Sequence, residues 1–182
     1  MPALTDFAGL YALATAGGSQ AAAQAASIIA NQERYESVAI VANAPWWWVG
    51  CVHWMEASGS FRCHLHNGDP LNARTVQVPA GRPLGGDPPF TWEDSATDAL
   101  SMRNFTPDTD WSIDGALNQA ERYNGEGYHN RGIRSPYLWW GTSLQQTGRF
   151  TSDHGFDPNA RSNEPGVAAM MKALEAAGLT LE

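Results

Sequence analysis

Small and apolar residues run without a breaker from Gln20 to about Tyr35, an Ala-rich stretch that predicts a helix. Gly17-Gly18-Ser19 precedes it as a turn and helix start, and residues 36–43 extend it or form a short second helix. Pro45 suits the first turn of a further helix, and Gly59 suits its end. Between them lies a nearly unbroken apolar run, Trp46-Trp47-Trp48-Val49-Gly50-Cys51-Val52-His53-Trp54-Met55, closed by Glu56. The pattern then changes period. Asn67-Gly68-Asp69-Pro70 is a turn signal, and Arg74-Thr75-Val76-Gln77-Val78-Pro79 alternates, so residues 61–80 read as a small hairpin or three-stranded sheet. Residues 81–90 are loop, rich in Gly and Pro. Helices resume at Trp92–Met102 and at Trp111–Tyr123, the latter with Asp110 as N-cap. Gly125, Gly127 and Gly132 interrupt the chain before a short helix at Ser135–Trp140. A last helix runs from Pro165 to Ala177, opened by Asn163 and closed by Gly178. The class is α+β, mostly helical with one small sheet, and no linker or repeat divides residues 1–182, so a single domain is expected.

Composition narrows the partners. The formal net charge is −8 and no basic run occurs, which argues against nucleic acid and against long-range attraction to an anionic polymer. An anionic substrate would be held by short-range contacts. No basic segment precedes an apolar run at the N-terminus, so no signal peptide is read, and no stretch is long and apolar enough to insert in a membrane. Core packing needs few of the eight tryptophans and flat aromatic faces suit carbohydrate, so some are candidates to line a groove, while most, Trp46, Trp47 and Trp48 mainly among them, are assigned to the core. Cys51 and Cys63 bracket Glu56 and form either one disulfide or two reduced thiols.

Glu56 carries the candidate chemistry. A carboxyl against aromatic walls is disfavoured as an anion and tends to keep its proton, as a general acid for glycosidic cleavage must. Asp69 and Thr75 follow on the predicted hairpin and complete a glycoside-cleaving set. The same residues have plainer uses, Glu56 at a helix end and Asp69 in its turn. His53, Cys63, His64 and His66 match no familiar zinc spacing, so no metal or cofactor is expected. His66 beside Asp69 reads as lining a cleft or bracing the turn.

The order of Glu56, Asp69 and Thr75, with five residues between the last two, resembles the lysozyme-like superfamily in its phage-type muramidases. The twelve residues between Glu56 and Asp69 exceed the spacing in the short phage enzymes. Ala120-Glu121-Arg122-Tyr123-Asn124-Gly125 is similar to the Tyr-Asn-Gly signature of lytic transglycosylases. Leu65-His66-Asn67-Gly68-Asp69-Pro70-Leu71 and Ser135-Pro136-Tyr137-Leu138-Trp139 resemble stretches of endolysin-like proteins.

The resemblance implies a lysozyme-like fold with the small sheet beside a cleft. It implies that Glu56 protonates the leaving oxygen between N-acetylmuramic acid and N-acetylglucosamine. Asp69 would stabilise developing charge or orient water, and Thr75 would help hold that water. His66, Tyr123, Asn124, Tyr137 and Trp139 become candidate substrate contacts: Tyr123 packing near the acid, Asn124 shaping the floor, and two of Tyr137, Trp139 and Trp140 forming a sugar-stacking wall. The expected partner is peptidoglycan at the bacterial wall, acted on by a monomer in phage lysis or wall remodelling. Two alternatives stand beside this hydrolase: a lytic transglycosylase using Glu56 alone, and a non-catalytic glycan-binding or structural module.

Overall fold

The computed structural model describes residues 3–16, 18–152 and 155–181. Among these are eight α-helices: α1 (Phe7–Leu13), α2 (Ser19–Ala30), α3 (Gln32–Ala42), α4 (Trp46–Ala57), α5 (Trp92–Ser101), α6 (Ile113–Asn124), α7 (Pro136–Trp139) and α8 (Val167–Ala176). A two-stranded antiparallel sheet pairs β1 (Arg149–Ser152) with β2 (Gly155–Asp157). The architecture is therefore mostly helical with a small sheet. The chain packs as two compact units, one of residues 1–26 and 110–182, the other of residues 27–109.

The small sheet is not where the alternation placed it. Residues 61–80 hold no strand, only an isolated bridge between Cys63 and Pro70. The N–H groups of Val76 and Gln77 bond to the Asp69 carboxylate, and that of Arg82 bonds to the Thr75 hydroxyl. Backbone donors tied to side chains cannot build a ladder, and Pro70 and Pro79 have none to offer. The observed sheet pairs Phe150 with Phe156, whose rings lie 5.3 Å apart, and Arg131 sits 4.5 Å over Phe156.

Helix boundaries follow local chemistry. The breaker-free stretch divides at Asn31, whose amide donates back to the Ser27 carbonyl, and α3 ends at Asn43 in the left-handed region (φ 53°). Ser112, not Asp110, caps α6, its hydroxyl accepting from Gly115 N at 3.3 Å. The preceding Asp110 carboxylate holds Ser112 N at 2.9 Å instead. Ser135 caps α7, and Gly166 rather than Asn163 precedes α8. The helix α1 was unmarked in the sequence; Asp6 caps it by accepting from Gly9 N. Gly17 lies outside the described residues.

In the unit of residues 27–109, α4 is buried along most of its length. Trp47, Trp48 and Val49 through His53 are all inaccessible, while Trp46 and Trp54 are half-buried. A Cβ on Gly50 would stand 2.6 Å from Ile28, so only glycine permits this approach of α4. In the other unit the core comes from α1, α6, α7 and α8, with Leu10, Leu117, Leu138, Met170 and Met171 fully buried. Among the described residues no helix is long and apolar enough to cross a membrane.

Candidate active site

Glu56 occupies the last turn of α4 and is half-buried. Three features fix the chain around it. Helix α4 closes at Ser58 in the left-handed region (φ 49°), with Ser58 N bonded to Trp54 O at 2.9 Å. His53, one turn before Glu56, is completely buried and bridges two elements: Nε2 lies 3.1 Å from Ser60 O and Nδ1 lies 2.9 Å from the Tyr35 hydroxyl on α3. A carbonyl only accepts, so Nε2 carries the hydrogen and Nδ1 accepts from tyrosine. Phe61 then packs against His53 (4.8 Å) and Trp92 (4.9 Å), with the Arg34 guanidinium 3.9 Å over its ring.

The third feature is the turn after α4. Gly68 has φ 79°, and a Cβ there would stand 2.6 Å from the Glu56 carbonyl oxygen. The turn thus rests its backbone directly on the end of α4. Gly68 N bonds to His64 O at 2.9 Å and His64 N to Asp69 O at 2.7 Å, which closes the turn on itself.

Burial pushes the His53 pKa down to about 4, against a smaller raising effect of the Ser60 bond. Its unfolded value is near 6.5, so the unfolded chain binds the proton more readily. The contribution of neutral His53 is complete above about pH 6.5 and is lost as pH falls toward 4. At about 1.4 kcal/mol per pH unit, some 3 kcal/mol of stability disappears across that window. Urea unfolding between pH 7 and 4.5 checks this: His53→Gln should flatten the profile, and equal slopes in both proteins would refute it.

Asp69 is half-buried, and its Oδ2 accepts three bonds: from Val76 N (2.8 Å), Gln77 N (3.0 Å) and Asn67 Nδ2 (3.1 Å). Its own N–H donates to Asn67 Oδ1 at 3.0 Å. Desolvation raises its pKa, but the N–H groups of Gln77, Val76 and Asn67, with a smaller contribution from His64, outweigh it and hold the carboxyl below its ordinary value. Thr75 is buried, and its hydroxyl donates to Pro79 O (2.5 Å) and accepts from Arg82 N (2.9 Å). The expected aim of Thr75 at a catalytic water is therefore corrected: both bonding directions serve its own loop.

His66 braces rather than contacts substrate, for its side chain is only 1% exposed. Its Nε2 lies 2.8 Å from Asp98 Oδ2, the oxygen that Arg82 Nε also approaches at 2.8 Å with its N–H poorly aligned for a hydrogen bond. His64 Nε2 donates to Ala73 O at 2.8 Å, so its Nδ1 accepts from the Ser95 hydroxyl at 2.7 Å. That hydroxyl stands 3.5 Å from His66 Nδ1. Burial lowers the His66 pKa, opposed by its bond to Asp98. The pair of histidines thus ties the 73–84 loop to α5. Cys51 and Cys63 are both free thiols; burial pushes the Cys51 thiol up, and Cys63 lies 3.6 Å from Ser60 Oγ.

Tyr123, Asn124, Tyr137 and Trp139 belong to the other unit. Asn124 is exposed at the end of α6, while Tyr123 and Tyr137 are buried. Trp139 is 1% exposed, so the expected stacking role is corrected: its ring is core, and the half-buried Trp140 keeps some accessible surface. In the sequence Glu121 stands only as part of the Tyr-Asn-Gly stretch, with no role of its own. It lies on the buried face of α6 with Leu117 and Ala120, and burial pushes its carboxyl above the usual range, with Glu126 adding and His129 opposing. An acidic residue four positions after a core leucine was the available signal.

No known protein family matches the chain, and comparisons with curated proteins and with solved structures return no match.

Proposed function

We propose that this chain cleaves the β-1,4 bond between N-acetylmuramic acid and N-acetylglucosamine in peptidoglycan, with Glu56 as sole acid and base. Glu56 donates its proton to the glycosidic oxygen as the C1–O bond breaks. The carboxylate then takes the proton of the muramic acid C6 hydroxyl, whose oxygen bonds to C1, giving a 1,6-anhydro product with no water consumed. The observation that carries this choice is the engagement of Asp69 and Thr75. Three N–H groups occupy Asp69 Oδ2, and the Thr75 hydroxyl is bonded at both its donor and acceptor positions. Asp69 Oδ2 and the Thr75 hydroxyl are thereby committed to their own loop, which supports a step that needs no water. The substrate implies action at the bacterial wall.

One observation favours hydrolysis as a second reading. Asp69 is held ionised, and an anion near Glu56 would stabilise positive charge on the sugar. Mass spectrometry of digested peptidoglycan separates the two. The transglycosylase reading expects muramic ends lighter by one water; reducing ends would overturn it in favour of hydrolysis.

A further inference from the structure

Among the described residues, Val78, Val76 and Leu84 are three of the four most exposed large apolar side chains, at 89%, 81% and 73%. All three lie on one loop within nine positions. That loop is held firmly. Asp69 binds the N–H groups of Val76 and Gln77, Thr75 spans to Pro79 and Arg82, and Arg74 bonds to the carbonyls of Pro83 and Gly86. Leu84 N reaches Asp98 Oδ1 at 3.4 Å. Exposed valines on a fixed backbone do nothing for the fold, whereas a pre-ordered apolar surface lowers the entropy cost of binding.

The loop's position says what it meets. Its Val76–Gln77 backbone hangs on the Asp69 carboxylate, and the adjoining Gly68 rests on the Glu56 carbonyl. The loop is thus joined, through Asp69 and Gly68, to the end of α4 that carries Glu56. Sugar rings are recognised by flat aromatic faces, and this loop offers none; branched aliphatic side chains fit methyl groups. We infer that Val76, Val78 and Leu84 form a wall that recognises the alanine-bearing stem peptide of muramic acid, so that the chain distinguishes peptide-substituted glycan from bare glycan. This inference rests on peptidoglycan as the substrate.

The test uses Val76→Thr combined with Val78→Thr, which keeps side-chain shape and both backbone bonds to Asp69. Binding is measured by co-sedimentation with insoluble peptidoglycan, intact or stripped of stem peptides by an amidase, and turnover is measured on both. The expected result is about tenfold weaker binding of intact peptidoglycan by the variant, with binding of stripped glycan unchanged. Equal effects on the two polymers, or none, overturn the wall. So does a concentration-dependent dimer that the variant loses, since the loop would then be a contact between two copies. A parent protein that binds intact peptidoglycan without cleaving it, while the variant binds it tenfold less well, removes the catalytic reading and leaves the wall standing. A parent that binds neither polymer overturns both.

Discussion

Glu56→Gln is expected to reduce glycan cleavage by about 10²–10⁴-fold, some 3–5 kcal/mol of barrier, while leaving the fold intact. The amide matches the carboxyl in shape and cannot deliver a proton to a leaving oxygen. Glu56 is half-buried in the last turn of α4, where its backbone is held by the helix end and the turn that follows. The melting temperature should therefore stay within a few degrees of the parent. Near-normal lytic rates would sink the assignment. Glu121→Gln is the companion measurement, because Glu121 is a buried carboxyl whose pKa burial raises. If that variant stops turnover and Glu56→Gln does not, the acid lies on α6.

Gly68→Ala should be the most disruptive single change near the site. Two effects add at this position: a positive φ of 79°, which costs a β-carbon about 1 kcal/mol, and a clash with the Glu56 carbonyl oxygen at 2.6 Å. The obstacle is backbone, so neither partner can yield by a rotamer change. A loss of about 2–4 kcal/mol follows, together with a drop in turnover as the turn lifts off α4. Gly81 is the internal control. Its φ is 78°, yet nothing stands within 4 Å of its missing Cβ, so Gly81→Ala should show the backbone cost alone. Equal melting shifts in the two variants would mean that the contact with Glu56 carries no weight.

Helices were legible wherever hydrophobic pattern and punctuation agreed. The Pro45 start of α4, the Trp92 start of α5 and the end of α8 before Gly178 all follow from local chemistry that the sequence displays. The region 61–80 was not legible. Thr75-Val76-Gln77-Val78 has the alternation of a strand, but its backbone donors are claimed by Asp69, a residue whose reach no periodicity encodes. The hairpin that does exist is only four and three residues long, too short for a pattern, and is held by aromatic pairing of Phe150, Phe156 and Tyr128. Within the candidate site, the position of Glu56 at a helix end was readable. The duties of His66, Thr75 and Trp139 were not, since each depends on distant partners or on burial: Asp98 lies thirty-two positions from His66.

The division of the chain has a consequence for its synthesis. Residues 27–109 form a contiguous unit, whereas residues 1–26 pack with residues 110–182. On the ribosome the middle segment can close as soon as it emerges, using contacts local in sequence. The leading segment must wait: Ala8 N bonds to Asp114, and Tyr11 to Glu175, on stretches not yet translated. Residues 1–26 are thus made before residues 27–109 yet reach their native partners after them.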